Sequence, residues 1–196
     1  VVEQLRHDAL EVQQLARLHT VMLDRELSSV RLVVNPEKMV IRETQRTFTY
    51  LNLYGYLTDA VVVNRVFPEE VAGTYFGTWR ELQQEHITLV ESAFAPVPVL
   101  RAPFFEQEVT GPAMLDRLAD EVFADSDAGE VLHDRLTQEL TVHDEGATLR
   151  LELPFAQKGD VTLQKIGLEL VVRVDGHKRT IMLPPALAPY RPSAAV

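Results

Sequence analysis

The chain has no cysteine, which removes disulfides, thiolate zinc sites and thiol nucleophiles together, a composition that fits a reducing cytosol. It also lacks a glycine-rich loop ending in Lys-Ser or Lys-Thr. The usual cradle for a nucleoside triphosphate is therefore absent from these residues, and hydrolysis by them alone is not expected. Apolar runs are short: residues 61–63, and 168–174 with interruptions, fall far below the roughly 20 residues that span a bilayer. Positive charge is scarce too. Lys and Arg number 19 against 29 Asp and Glu, and the net charge of −10 repels phosphate backbones and anionic lipid, which argues against nucleic acid as a partner. The 6 histidines are scattered without metal-ligand spacing, so no metal site is expected. Val1 opens inside an amphipathic pattern, with no charged-then-apolar leader, and the chain reads as part of a longer protein.

What is present can fold: 46% of the residues are hydrophobic, enough for one large or two small cores. Over residues 1–23, Leu5, Ala9, Val12, Leu15, Ala16 and Met22 recur at helical spacing and predict a helix with one buried face. Residues 30–34 are a β-branched run that suits a strand buried on both faces. Pro36 suits the first turn of the next helix, with Val40, Thr44, Thr47, Phe48, Leu51 and Tyr54 inward and Gly55 as its stop. Residues 60–63 predict a second strand, so strand, helix and strand make a βαβ unit with a parallel sheet.

A second helix over residues 69–94 is expected to turn Val71, Tyr75, Trp79, Leu82, His86 and Leu89 inward, and residues 98–102 to form a third strand. A last helix, from Gly111-Pro112 to about Phe123, is expected to bury Met114, Leu115, Leu118 and Val122. Asp125-Ser126-Asp127-Ala128-Gly129 has the composition of a surface connection. Beyond it the period falls to two, through Leu140 and Val142 and then residues 148–153, 161–163, 168–174 and 180–183. The turns between are marked by Asp144-Glu145-Gly146, Lys158-Gly159-Asp160 and Asp175-Gly176. The expected fold class is α/β, part of a doubly wound parallel-sheet domain, followed by a small all-β antiparallel sandwich.

Three phrases carry a resemblance. Arg31-Leu32-Val33-Val34-Asn35-Pro36-Glu37-Lys38-Met39-Val40-Ile41, followed by Glu43 and Arg46, is one. The second is Asp59-Ala60-Val61-Val62-Val63-Asn64-Arg65-Val66-Phe67-Pro68, and the third is Ala102-Pro103-Phe104-Phe105-Glu106-Gln107-Glu108-Val109-Thr110-Gly111. In order and spacing they resemble the C-terminal half of the ArsA-type anion-transporting and tail-anchored-protein-targeting ATPases, a branch of the P-loop NTPases. The linker composition and the change of period divide the chain into 1–124, a linker at 125–133, and 134–196, and the resemblance implies that 1–27 end a helical subdomain. The last part, 134–196, through Leu151-Glu152-Leu153-Pro154-Phe155 and Arg179-Thr180-Ile181-Met182-Leu183-Pro184, resembles an α-crystallin-like, small heat-shock protein-like sandwich, expected to lack its last strand.

On residue type alone Asn64 serves a turn, and Phe104 and Phe105 serve a core. Yet Asn64 closes a strand, where ligands of doubly wound sheets collect, and its amide complements the N6/N1 edge of adenine. The resemblance implies that Asn64 and Arg65, with Pro103, Phe104, Phe105 and Glu108, form the adenine side of an ATP site. It also implies that Glu37, Glu43 and Arg46 lie near a dimer face and the nucleotide edge, although a dipole-stabilised surface pair is the plainer reading. No catalytic residue is expected in this part. The phosphate and Mg²⁺ sites of the implied cofactor, ATP with Mg²⁺, would precede it. A cytoplasmic homodimer is implied, whose ATPase cycle handles a client protein or an anion. The zinc clasp of the family's eukaryotic targeting members is absent near residues 69–79. The alternative is a non-catalytic interaction module in which the sandwich binds apolar segments by edge-strand addition.

Overall fold

The computed structural model describes residues 2–70, 74–124, 126–135, 137–143 and 146–193. Expectations placed on Leu5, Ala9, Val71, Tyr75, Asp125, Asp144 and Glu145 lie outside the described residues or side chains. The chain divides into two compact units, one made of Val1–Pro36 with Tyr56–Asp134, the other of Glu37–Gly55 with Arg135–Val196.

The first unit is built on strands β1 (Val30–Val34), β2 (Thr58–Val66) and β3 (Val99–Pro103), all parallel, with β2 central. Helix α1 (Val2–Leu23) precedes them, α2 (Lys38–Tyr54) lies between β1 and β2 in the chain, α3 (Thr74–Phe94) between β2 and β3, and α4 (Gly111–Phe123) follows β3. The expected parallel βαβ order is present. Strand β2 is apolar because it has a neighbour on each side, and Ala60, Val61 and Val63 are fully buried. Strand β1 was expected to be buried on both faces, but it is an outer strand and leaves Val33 62% exposed.

The helices keep their expected places but not always their expected faces. Helix α1 exposes Val12, Leu15 and Met22, so the predicted buried stripe is not buried in the described part. In α3 the inward residues are Gln83, Ile87, Val90 and Phe94, while Trp79, Leu82 and Leu89 are exposed and His86 is half-buried. Apolar residues occupy more than one face of α3, so spacing alone does not fix its phase. Helix α4 has no fully buried residue: Leu115 is exposed, and Met114, Leu118 and Val122 are half-buried.

In the second unit α2 starts at Lys38, two residues beyond the Pro36 expected in its first turn. Pro36 lies outside it and Glu37 is the extended N-cap. Its buried residues are Ile41, Thr44, Phe48, Thr49, Asn52 and Leu53, a single stripe shifted from the predicted one and sharing only Thr44 and Phe48 with it. Gly55 ends the helix at φ 85, where a side chain is strained, and its N–H reaches the Leu51 and Asn52 carbonyls. Strands β4 (Gln138–His143) and β5 (Gly146–Leu151) form a hairpin, and β6 (Val161–Ile166), β7 (Glu169–Val174) and β8 (His177–Met182) a three-stranded antiparallel sheet. Asp175 and Gly176, both at positive φ, make the two-residue turn whose twist suits a tight hairpin. Leu53 joins Leu170, Val172 and Val174 in this unit's core.

Candidate functional site

The carboxyl end of β2 is irregular. Its ladder with β3 pairs Val63 with Arg101 and resumes only at Val66 with Pro103, and Arg65 lies at φ 60 between them. A non-glycine residue in that region costs about 1–2 kcal/mol and persists only where its surroundings hold it. Gln83 of α3 does so: its Nε2 donates to the Arg65 carbonyl at 3.0 Å, and its Oε1 accepts the Phe67 N–H at 2.8 Å. One turn on, His86 Nδ1 lies 2.9 Å from the Pro36 carbonyl, so the ring donates from Nδ1. One face of α3 thus grips the chain as it leaves both β1 and β2. The segment after β3 is tied to the same rim, because the Phe104 N–H donates to the Val66 carbonyl at 2.8 Å. Above it the Phe67 ring stands edge-on to Phe76 and Phe104, at 6.3 and 5.9 Å between centroids.

The expected adenine-side residues all belong to this unit. Asn64 is half-buried at the rim, and among the described residues its side-chain amide makes no hydrogen bond. Arg65 is exposed beside it. Pro103 ends β3 and Phe104 is 49% exposed, a partly open aromatic surface. Phe105 is drawn to α4 instead, with the Arg117 guanidinium 4.9 Å above its ring. Arg117 also donates to Glu106 at 2.8 Å, and this hydrogen bond is the main cause holding the Glu106 carboxyl below its ordinary range. Glu108 is exposed.

Glu37, Glu43 and Arg46 belong to the other unit, on or beside α2. Arg46 pairs with Glu43 at 3.3 Å and approaches Asp175 at 3.8 Å, exposed ion pairs worth at most about 1 kcal/mol each. Gln83 was not singled out in the sequence, since a glutamine within Glu81-Leu82-Gln83-Gln84-Glu85-His86 carries no signal that distinguishes it from a solvated face.

At the opposite end of the sheet Arg31, opening β1, meets the fully buried Asp59 of β2 at 3.0 Å. The same guanidinium donates to the Ala128 and Glu130 carbonyls, both at 2.6 Å, and Asp59 accepts the Leu132 N–H at 3.2 Å. The segment after α4 is exposed yet fastened there. In the second unit a cavity of about 550 Å³ is lined by apolar side chains including Leu140, Leu149, Leu163, Leu170 and Leu183. Lys165 Nζ donates to the Leu187 and Ala188 carbonyls, both at 2.7 Å, beside it. Among the described residues no group of three or more His, Asp or Glu could hold a metal ion, and no helix is long and apolar enough to cross a membrane.

A parallel sheet with helices between its strands in the chain is of the α/β class, in which ligands gather beyond the carboxyl strand ends. The chain belongs to the anion-transporting ATPase family, whose model matches residues 2–124, and an HSP20-like domain found in ArsA matches residues 144–196. It is 34% identical over 187 residues to a putative arsenical pump-driving ATPase 1 of Aquifex aeolicus, a match covering 93% of this chain and 47% of that protein. A putative arsenical pump-driving ATPase of Prosthecochloris vibrioformis is 32% identical over 183 residues, covering 93% and 45%. ATPase GET3 of Chaetomium globosum is 27% identical over 108 residues, covering 54% and 32%. The chain thus spans about half the length of the pump-driving relatives it matches.

Proposed function

We propose that the chain is the C-terminal portion of a cytoplasmic ATPase and supplies the adenine side of its ATP site at the carboxyl rim of β2 and β3. The observation that carries this reading is the bulged end of β2, where Asn64 follows the last regular pair of the ladder and the Phe104 N–H is tied back to the Val66 carbonyl. The donor and acceptor of Asn64 fit the adenine edge, and the half-open Phe104 ring fits as a wall that keeps water from the base. Arg65 and Glu108 are assigned to the same edge, and Phe105, whose ring is turned to Arg117, supports the loop behind it. The triphosphate and its Mg²⁺, which supply the charge stabilisation for phosphoryl transfer, would be held by a different part of the intact protein. The protein would act as a homodimer, with Glu37, Glu43 and Arg46 near the partner, and its nucleotide cycle would handle a client protein or an anion. The division into 1–124, 125–133 and 134–196 belongs to the same proposal. Titration of the full-length protein with a fluorescent ATP analogue tests it: Asn64→Ala is expected to weaken binding about tenfold, the worth of one or two hydrogen bonds to the base. Wild-type affinity in this variant would remove Asn64 from the site.

The apolar cavity of the second unit favours a second reading, in which the β domain binds apolar segments with β6 or β8, the outer strands of its sheet, as the edge they join. Suppression of client aggregation that persists without ATP would favour this reading.

A further inference from the structure

We propose that Gln83 is the residue that positions the base-recognition edge, and that the nucleotide's base preference depends on it. The proposal rests on the adenine reading of the rim above. A side-chain amide that accepts from the Phe67 N–H at 2.8 Å and donates to the Arg65 carbonyl at 3.0 Å serves residues 65 and 67 as a neighbouring strand would. It does so where the pairing of β2 with β3 is interrupted, between Val63 and Val66. Burial makes the arrangement exacting, for Gln83 is only 9% exposed, and losing either bond leaves a backbone polar group without its partner. The grip sets two things together. It holds Arg65 at φ 60, the turn by which the chain leaves β2 directly after Asn64. It also fixes Phe67, whose ring meets that of Phe104 at 5.9 Å, so the position of the Phe104 ring depends on the same grip. Both bonds of Gln83 go to backbone, and its part is to hold Asn64 and Phe104 in register with each other.

The test uses the full-length protein, a fluorescent ATP analogue, and competition by ATP, GTP and inorganic tripolyphosphate. Gln83→Leu is expected to weaken ATP binding about tenfold and to flatten the ATP-over-GTP preference, while competition by tripolyphosphate stays at the wild-type level. Gln83→Glu keeps an acceptor for the Phe67 N–H but has no donor for the Arg65 carbonyl. It sets a carboxylate against that carbonyl, so it is expected to show at least as large a loss in the same direction, and it decides the matter if the leucine variant does not fold. A folded variant with unchanged base preference overturns the proposal, as does an equal loss for ATP and tripolyphosphate. Asn64→Ala separates the two levels. Should Asn64→Ala shift the base preference while the Gln83 variants do not, the role of Gln83 alone falls; should Asn64→Ala keep the wild-type preference, the adenine reading falls and this proposal with it.

Discussion

Removing the Arg31 guanidinium should cost more than its position at the end of an outer strand suggests. Asp59 is fully buried, and Arg31 reaches it with Nε at 3.3 Å and Nη2 at 3.0 Å. Without Arg31 the carboxylate keeps, among the described residues, only the Leu132 N–H, and breaking a buried pair from one side costs about 3–5 kcal/mol, because a charge is left uncompensated. Rehydration of the Ala128 and Glu130 carbonyls, both exposed, offsets little of this. For Arg31→Met we expect a loss near the lower bound, about 3 kcal/mol, since the Arg31 side chain is itself 23% exposed and water can enter where it was. For a 196-residue chain that unfolds in one transition this corresponds to a fall in Tm of roughly 6–12 °C. Thermal unfolding followed by circular dichroism, together with the fluorescence of Trp79, the single tryptophan of the chain, would measure it. Adding Asp59→Asn removes the stranded charge, so the double variant should be more stable than Arg31→Met alone. A single-variant loss below about 1 kcal/mol, or no recovery in the double variant, would refute the argument.

Burial first, and then the hydrogen bond to Asp175, push the Tyr50 phenol above its usual value of 10.0. The stability it contributes is therefore fully present below pH 10.0 and is lost as pH rises through the higher folded value, so an ultraviolet titration of wild type minus Tyr50→Phe should show a late phenol; an ordinary midpoint would contradict this. Gly55→Ala should destabilise by about 1–2 kcal/mol, because residue 55 sits at φ 85 and an added Cβ would lie 3.1 Å from an Arg179 guanidinium nitrogen. Gly55→Asn, which tolerates that backbone better, should lose less in the same denaturant melt.

The order of the first elements was legible because β1 and β2 hold short Val-rich runs followed by Asn and Pro. Val30–Val34 and the run at residues 60–63 announce parallel strands without help from any partner. Helix faces were less legible. In α3 the pattern through Trp79, Leu82 and Leu89 is as regular as the true one through Ile87, Val90 and Phe94, and only the packing of the sheet chooses between them. The residues of the rim could be listed from motif likeness, but its geometry could not. That geometry depends on a bulge after Val63, on a positive φ at Arg65, and on Gln83, which lies 18 residues further along the chain than the carbonyl it binds.

Helix α2 is where descent and cohesion part company. It falls within the stretch matched by the ATPase family, residues 2–124, yet its packing joins it to the C-terminal strands. Leu53 is fully buried against Leu170, Val172 and Val174. Arg179 donates to the Leu53 carbonyl, the Thr49 hydroxyl to the Pro154 carbonyl, and the Tyr50 hydroxyl to Asp175 at 3.2 Å. Hydrophobic burial acts wherever apolar surfaces meet, without regard to where a family boundary falls in the chain. A β domain cut at residue 134 would therefore present to solvent the apolar strand face that Leu53 occupies. Such a fragment would bind apolar peptides at a surface that the longer chain has already filled. Binding by the isolated β domain is for that reason weak support for a client site on it, and the cavity lined by Leu140, Leu149 and Leu163 is the surface on which such a reading has to stand.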